Sequence, residues 1–168
     1  VISVLYDDKK AGYDVAKYLI DAGHRSIGVI TGPAGSIHTV NRLAGFQEAL
    51  YDAGIPYNPR LTVQGDWQRD SGYVLTEQLL KHDITAIVSQ NDLMAIGIID
   101  YCNKNNIVIG RDLALIGFDN REVSTVCRPT LTTVALPLYE IGQTAAEILI
   151  NKIEGKHVDQ SGDILLNC

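Results

Sequence analysis

Three short runs, IGVIT at 27–31, AIV at 86–88 and ALIGF at 114–118, are apolar at almost every position. Side chains alternate between the two faces of a strand, so a run without polar alternation must be covered on both. Each run is followed by a stretch of helical period. Strand, helix, strand, helix with doubly buried strands predicts an α/β fold, a doubly wound parallel sheet with helices on both faces.

The remaining elements follow the same rhythm. Val1 to Tyr6 reads as a strand and Asp8 to Ala22 as a helix closed by Gly23. Thr39 to Ala53 carries Leu43, Phe46 and Leu50 at helical spacing with Gly54 behind it. LTVQGD is a short strand, and Ser71 to Lys81 a helix. Asn91 or Asp92 caps a very apolar helix that runs to about Asn103. After ALIGF come an irregular stretch, an extended Leu131 to Val134, a helix from Pro137 to about Glu154 and a last strand near Ile164. No internal repeat is visible.

Composition excludes several classes. At 168 residues, 46% hydrophobic and 20% charged, the chain is globular and long enough to bury a core. Fourteen Lys+Arg against twenty Asp+Glu argue against holding a phosphate backbone or an anionic membrane surface by itself. No apolar run has the length of a membrane span. Three widely spaced cysteines, Cys102, Cys127 and Cys168, suggest reduced thiols and a cytoplasmic location. The opening VISVLYDD carries neither an initiator Met nor a signal pattern, and it reads as the inside of a strand. We therefore expect a piece of a longer protein.

A parallel sheet binds ligands at the carboxyl ends of its strands. Polar residues collect there: Ser36 and His38 after IGVIT, Asp66 and Trp67 after LTVQG, Asn91 and Asp92 after AIVSQ, and Asp119 and Asn120 after ALIGF. Arg42, one turn into its helix, can point over the same edge. Carboxylate and amide oxygens accept from vicinal hydroxyls, Arg donates, and an indole face covers the C–H side of a sugar ring. Each residue has a plainer reading. Trp67 can be packing, Asn91 or Asp92 a cap, Asp119-Asn120 a turn, and Arg42 a surface partner of Glu48. Their convergence on one edge favours a site. Catalysis finds little support, with no nucleophile elbow and no phosphate-binding loop. GPAGS lacks dinucleotide spacing, and Pro33 removes an amide donor. The four histidines show no metal-ligand spacing, so no metal and no cofactor are expected. Asp119 with Asp66 could form an acid/base couple, but nothing in the sequence sets their separation.

Six motifs occur in order: AGHRSIGVITGP, NRLAGFQEAL, QGDW followed by SGY, NDLMAIG, IGFDN and RPTLTTV. Together they resemble the effector-binding half of bacterial transcription regulators of the lactose-repressor/galactose-repressor family, over nearly the whole chain. The resemblance implies one lobe of a periplasmic-binding-protein-like sensor that binds a small-molecule effector, a sugar above all, and forms a homodimer. Operator DNA would be bound by a helix-turn-helix domain outside this chain. It implies a C-terminal lobe at 1–135, a hinge and helix at 136–154 packing on an N-terminal lobe mostly absent here, and a return strand at 155–168. It implies effector contacts by Arg42, Trp67, Asn91 and Asp119, with weaker roles for Ser36 and His38. The hinge position that often carries a polar contact reads Ala135-Leu136-Pro137, which leaves that contact in doubt.

Two other classes compete: a periplasmic-type sugar-binding protein of a transporter, and a sugar-processing enzyme, for which no nucleophile or metal set is found. Three structural expectations follow. Removing Arg42 or Asp119 abolishes the response to effector but leaves the fold intact. The helix from Asn91 to Asn103, apolar on more than one face, is partly an interface helix or else buried in its own lobe. The stripe Leu138, Ile141, Ala145, Ile148, Leu149 and Ile153 is covered within its own lobe or by pairing with a second chain.

Overall fold

The computed structural model describes residues 2–156 and 162–168. Val1, the start of the first predicted strand, and the 157–161 stretch with His157 lie outside the described residues. The chain forms two compact units, one of residues 8–134 and the other of residues 1–7 with 135–168. Val1–Asp7, grouped by the sequence with the stretch up to 135, falls in the second.

The larger unit begins with α1 (Asp8–Asp21) and continues through β2 (Ile27–Thr31), α2 (Ile37–Asp52), β3 (Thr62–Gln64), α3 (Arg69–Leu79), β4 (Ala86–Ser89), α4 (Asp92–Lys104), β5 (Ala114–Asp119), α5 (Val123–Val126) and β6 (Thr132–Ala135). The strands form one sheet in the order β3-β2-β4-β5-β6. β2 runs parallel to both β3 and β4, and β4 parallel to β5. Alternate residues of each strand feed two cores. Ile27, Val29, Ala86, Val88, Ile116 and Phe118 pack with α1 and α2. Ile30, Ile87, Leu113 and Leu115 pack with α3 and α4. Both faces are covered, as unbroken apolar strands require.

The helix ends share one device. Gly23, Gly54 and Asn106 take φ of +98°, +66° and +58°. The next N–H then reaches back five residues: His24 to Leu19 at 3.0 Å, Ile55 to Leu50 and Ile107 to Cys102 at 2.9 Å. This closure satisfies the orphan carbonyls of a terminating helix. At the other end, α2 starts two residues earlier than its periodicity indicates. Ser36 is extended (φ −83°, ψ 129°) and accepts from Val40 N–H at 3.1 Å.

No repeat is visible in the letters, but packing reveals one. A Cβ on Gly12 would fall 2.1 Å from the Arg42 carbonyl, and one on Gly45 1.8 Å from the Lys9 carbonyl. The α3–α4 pair repeats this, with Gly72 against Met94 O at 2.0 Å and Gly97 against Arg69 O at 1.9 Å. On each face, two helices cross with backbones touching through reciprocal glycines.

The interface expectation for α4 is corrected here. Met94, Ala95, Ile96, Ile98, Ile99 and Cys102 are all buried within this unit. The helix is apolar on several faces because it packs on the sheet and on α3 together. Burial also raises the Cys102 thiol pKa to about 11, so it stays protonated and inert.

In the smaller unit β1 (Ile2–Tyr6) pairs in parallel with β7 (Gly162–Leu166), and α6 (Leu138–Ile153) lies against β1. No residue of α6 is buried. Leu138, Leu149, Ile150 and Ile153 are more than half exposed. The expectation that the stripe finds cover inside its own lobe is therefore not met.

Gly97→Ala should destabilise the protein by about 3 kcal/mol or more, because the new methyl meets backbone that cannot move independently. Thermal unfolding followed by circular dichroism reads this, with Gly35→Ala, which meets nothing within 4 Å, as the tolerated control.

Candidate functional site

The parallel pairings bring the carboxyl ends of β2, β3, β4 and β5 to one edge. The ladder continues past them, with Gly65 N–H donating to Thr31 O at 2.8 Å and Gln90 N–H to Ile30 O at 3.0 Å. Gly32, Trp67, Gln90, Asn91 and Asp119 thus leave the sheet as neighbours.

Arg42 lies at the centre, its side chain 4% exposed. Its Nε donates to Asp8 Oδ1 at 2.7 Å, and its Nη1 donates to the Gln90 carbonyl. The guanidinium lies 4.4 Å from the centre of the Phe118 ring, and Nη2 lies 3.9 Å from Asp119 Oδ1. One side chain on α2 therefore touches α1 and the ends of β4 and β5. Asp8, 5% exposed, uses its second oxygen to accept from His38 Nδ1 at 2.6 Å. That bond requires the imidazole proton on Nδ1. Glu48, the alternative partner considered for Arg42, instead pairs at the surface with Lys9.

Gln90 is buried one residue past β4. Its Oε1 accepts from Gly32 N–H at 3.1 Å and its Nε2 donates to Thr39 O at 3.2 Å. Asn91 is the α4 N-cap, its Oδ1 accepting from Met94 N–H at 2.9 Å. Its Nδ2 donates to the Trp67 carbonyl at 2.9 Å. Trp67 takes φ +72°, and its ring lies on Gly32, where a Cβ would fall 2.0–2.3 Å from three indole atoms. Ser36 is the half-buried N-cap of α2 and makes no side-chain capping bond.

Asp92 is fully buried. Its Oδ1 accepts from the Thr133 hydroxyl at 2.6 Å and its Oδ2 from Arg121 N–H at 2.7 Å. Burial raises its pKa, while these two donors oppose the rise. Asp119 is three-quarters buried, with 24% of its side chain exposed. Among the described residues its carboxylate receives no hydrogen bond. Burial pushes its pKa up to about 6; Arg42 opposes this, the charge of Asp92 adds to it, and Arg121 and His38 oppose it more weakly. Asp119 and Asn120 also hold φ of +106° and +53°. Such backbone costs on the order of 1–3 kcal/mol per residue and persists where the surroundings enforce it.

The fold therefore brings Arg42, His38, Trp67, Asn91 and Asp119 to one edge, with Ser36 at the head of α2. Asp8 and Gln90 are buried polar parts of this edge that the sequence reading did not assign to it. Asp8 looks like any helix-starting acid, whereas the sequence places Asp92 at this edge but not among the effector contacts. Gln90 sits between an apolar strand and the cap, where a polar residue directly after a doubly buried strand was the available signal. The cavity of about 400 Å³ lined by Leu19, His24, Gly110 and Thr130 is not lined by any of these residues.

Residues 16–167 match the family model of the periplasmic binding protein-like domain, and the chain belongs to that family. Relatives matching nearly the whole chain are LacI-family transcriptional regulators. The chain is 36% identical to the HTH-type transcriptional repressor CytR of Escherichia coli strain K12, over 99% of this chain and 49% of that protein. It matches the crystal structure of the Escherichia coli transcriptional repressor ascG with a TM-score of 0.91 at 32% identity, covering 98% of this chain and 60% of that one. A LacI family transcriptional regulator from Enterococcus faecium with bound ribose matches with a TM-score of 0.90 at 28% identity, over 98% and 61%. The chain thus spans about half the length of the sequence relatives it matches.

The geometry corrects the expectation that Arg42 can be removed with the fold intact, because Asp8 would be left charged and buried. Asp8→Ala and Arg42→Ala should each cost about 3 kcal/mol or more in denaturant unfolding. Glu48→Ala, at the half-exposed Lys9 pair, should stay within about 1 kcal/mol. Asp119 has the opposite sign. Its folded pKa lies above the unfolded value of about 3.9, so stability is lost as pH rises from about 4 through 6. Asp119→Asn should therefore be more stable than wild type at neutral pH, by on the order of 1 kcal/mol, and the difference should vanish below about pH 4.

Proposed function

We propose that this chain is the effector-sensing module of a bacterial transcriptional regulator of the LacI family. Its ligand is a neutral, polyhydroxylated molecule of the sugar type, bound at the strand-end edge. The observation that carries this is the convergence of Arg42, Trp67 and Asp119 on the carboxyl edge of a parallel sheet in a chain of this family. Asp119 accepts ligand hydroxyls, Arg42 donates to them, and Trp67 covers a ring face. Asn91, whose amide already fixes the Trp67 loop, holds that wall in place and offers its remaining N–H. Ser36 and His38 border the site. The ribose carried by the Enterococcus faecium regulator supports a sugar-type ligand.

The chemistry is recognition, with no step of bond making or breaking. Effector bound here shifts the population between two lobe arrangements and so biases a DNA-binding domain outside this sequence. In this reading 8–134 is the C-terminal lobe, and the other unit, 1–7 with 135–168, holds the hinge, its helix and the return strand. The two-stranded β1–β7 sheet is too small to stand alone, and α6 keeps an open apolar stripe. Both features suit an element completed by further chain and by a homodimer. The protein works in the cytoplasm, where operator DNA lies. Among the described residues no helix is long and apolar enough to cross a membrane. A transporter-associated binding protein is the weaker reading, since the relatives are repressors.

Trp67 gives the test its signal. Titrating the full-length protein with a panel of sugars should quench or shift the emission of this single Trp in the chain for the true effector. Trp67→Ala should weaken that effector by about tenfold, in line with aromatic contacts of on the order of 1 kcal/mol or more. Unchanged affinity in that variant, read by calorimetry, would remove Trp67 from the site.

A further inference from the structure

Asp119 and Asn120 hold left-handed backbone, with φ of +106° and +53°, where the chain leaves the sheet. Neither is glycine, so their surroundings must hold them there. Two amides of this turn show how. Asn120 N–H donates to Thr133 Oγ1 at 3.2 Å, and the Thr133 hydroxyl spends its only hydrogen on Asp92 Oδ1 at 2.6 Å. Arg121 N–H donates to Asp92 Oδ2 at 2.7 Å. Two successive amides thus end on one carboxylate, one directly and one through a hydroxyl.

That carboxylate has little room to move. Asp92 is fully buried in the first turn of α4, and a Cβ on Gly117 of β5 would fall 2.5 Å from its Oδ1. Helix capping does not account for it, because Asn91 already caps α4 through Met94 N–H. A buried acid is costly unless its oxygens are satisfied, and its two donors come from the Asp119 turn and from β6. β6 carries the chain out of the larger unit after Val134. Resting on the effector reading above, we infer that Asp92 and Thr133 are positioning residues of this edge. Neither meets the ligand; together they hold the 119–121 turn so that the Asp119 carboxylate is presented to it. The same two bonds tie that turn to the strand by which the chain leaves the lobe.

The test compares Thr133→Val, which keeps the shape and removes the hydroxyl, with Thr133→Ser, which keeps the hydroxyl. Hydrogen exchange of the full-length protein, read by mass spectrometry, needs no ligand. Over residues 119–122 it should quicken by about fivefold or more in Thr133→Val and stay near wild type in Thr133→Ser, with α4 unchanged in both. In calorimetric titrations with ribose and glucose, whichever sugar binds wild type should bind Thr133→Val about tenfold more weakly and Thr133→Ser within about twofold. Unchanged exchange over the turn in Thr133→Val overturns the inference, as does exchange that rises equally in both variants or across α4. Full sugar affinity in Thr133→Val overturns it too. If neither sugar binds wild type, the sugar reading fails separately and the exchange contrast decides this one. Should Thr133→Val not fold, Asp92→Asn, whose amide nitrogen cannot accept from one of the two donors, carries the same comparison against Thr133→Ser.

Discussion

The buried contact between Arg42 and Asp8 joins elements that have no other reason to meet at one point. Its two members lie 34 residues apart, on different helices. A guanidinium removed from water needs its donors satisfied, and here they are met by Asp8, the Gln90 carbonyl and the Phe118 ring. Each partner belongs to a separate element, so satisfying one side chain sets the positions of α1, the end of β4 and the end of β5 together. The pair is not valuable because ion pairs are strong, since the cost of desolvation offsets most of the attraction. Its weight comes from the penalty for leaving either charge alone.

A second layer of buried polar contacts shapes the edge around that centre. Gln90 ties the β2 exit to α2, and Asn91 ties the α4 cap to the Trp67 carbonyl. Asp92 ties the loop after β5 to β6. These three consecutive residues follow one doubly buried strand, and each holds a different loop. The edge therefore behaves as a preorganised wall, and Asp119 is the group in it whose hydrogen-bonding capacity is unspent. Strained backbone at Asp119 and Asn120 fits the same view, since strain is tolerated where surrounding contacts enforce it.

Much of the architecture was legible in the letters. Unbroken apolar strands announced a sheet covered on both faces, and the order of elements followed from alternating periods of two and 3.6. Gly23 and Gly54 mark helix ends by their residue type alone. The edge was legible too, because Trp67, Asn91 and Asp119 each follow a strand run. Less visible was the paired role of Gly12 with Gly45 and of Gly72 with Gly97, because a close backbone approach leaves no mark beyond the missing side chain. α4 was misjudged in part for a similar reason. A helix buried by sheet and helix at once has the same composition as one that also meets a partner.

By itself, the sequence determined the class of fold, the order of its elements and the edge where polar residues gather. These follow from patterns that repeat over a few residues, which local chain geometry converts directly into strands, helices and faces. Only the tertiary structure decided that Asp8 and not Glu48 holds Arg42, that Asp92 spans 41 residues to Thr133, and that Asp119 is left without a donor. It also decided that α4 is buried while α6 stays open. Pairings of that kind depend on distances between residues far apart in the chain and on how much water each retains. Burial and neighbouring charge belong to the assembled molecule, so no run of letters carries them.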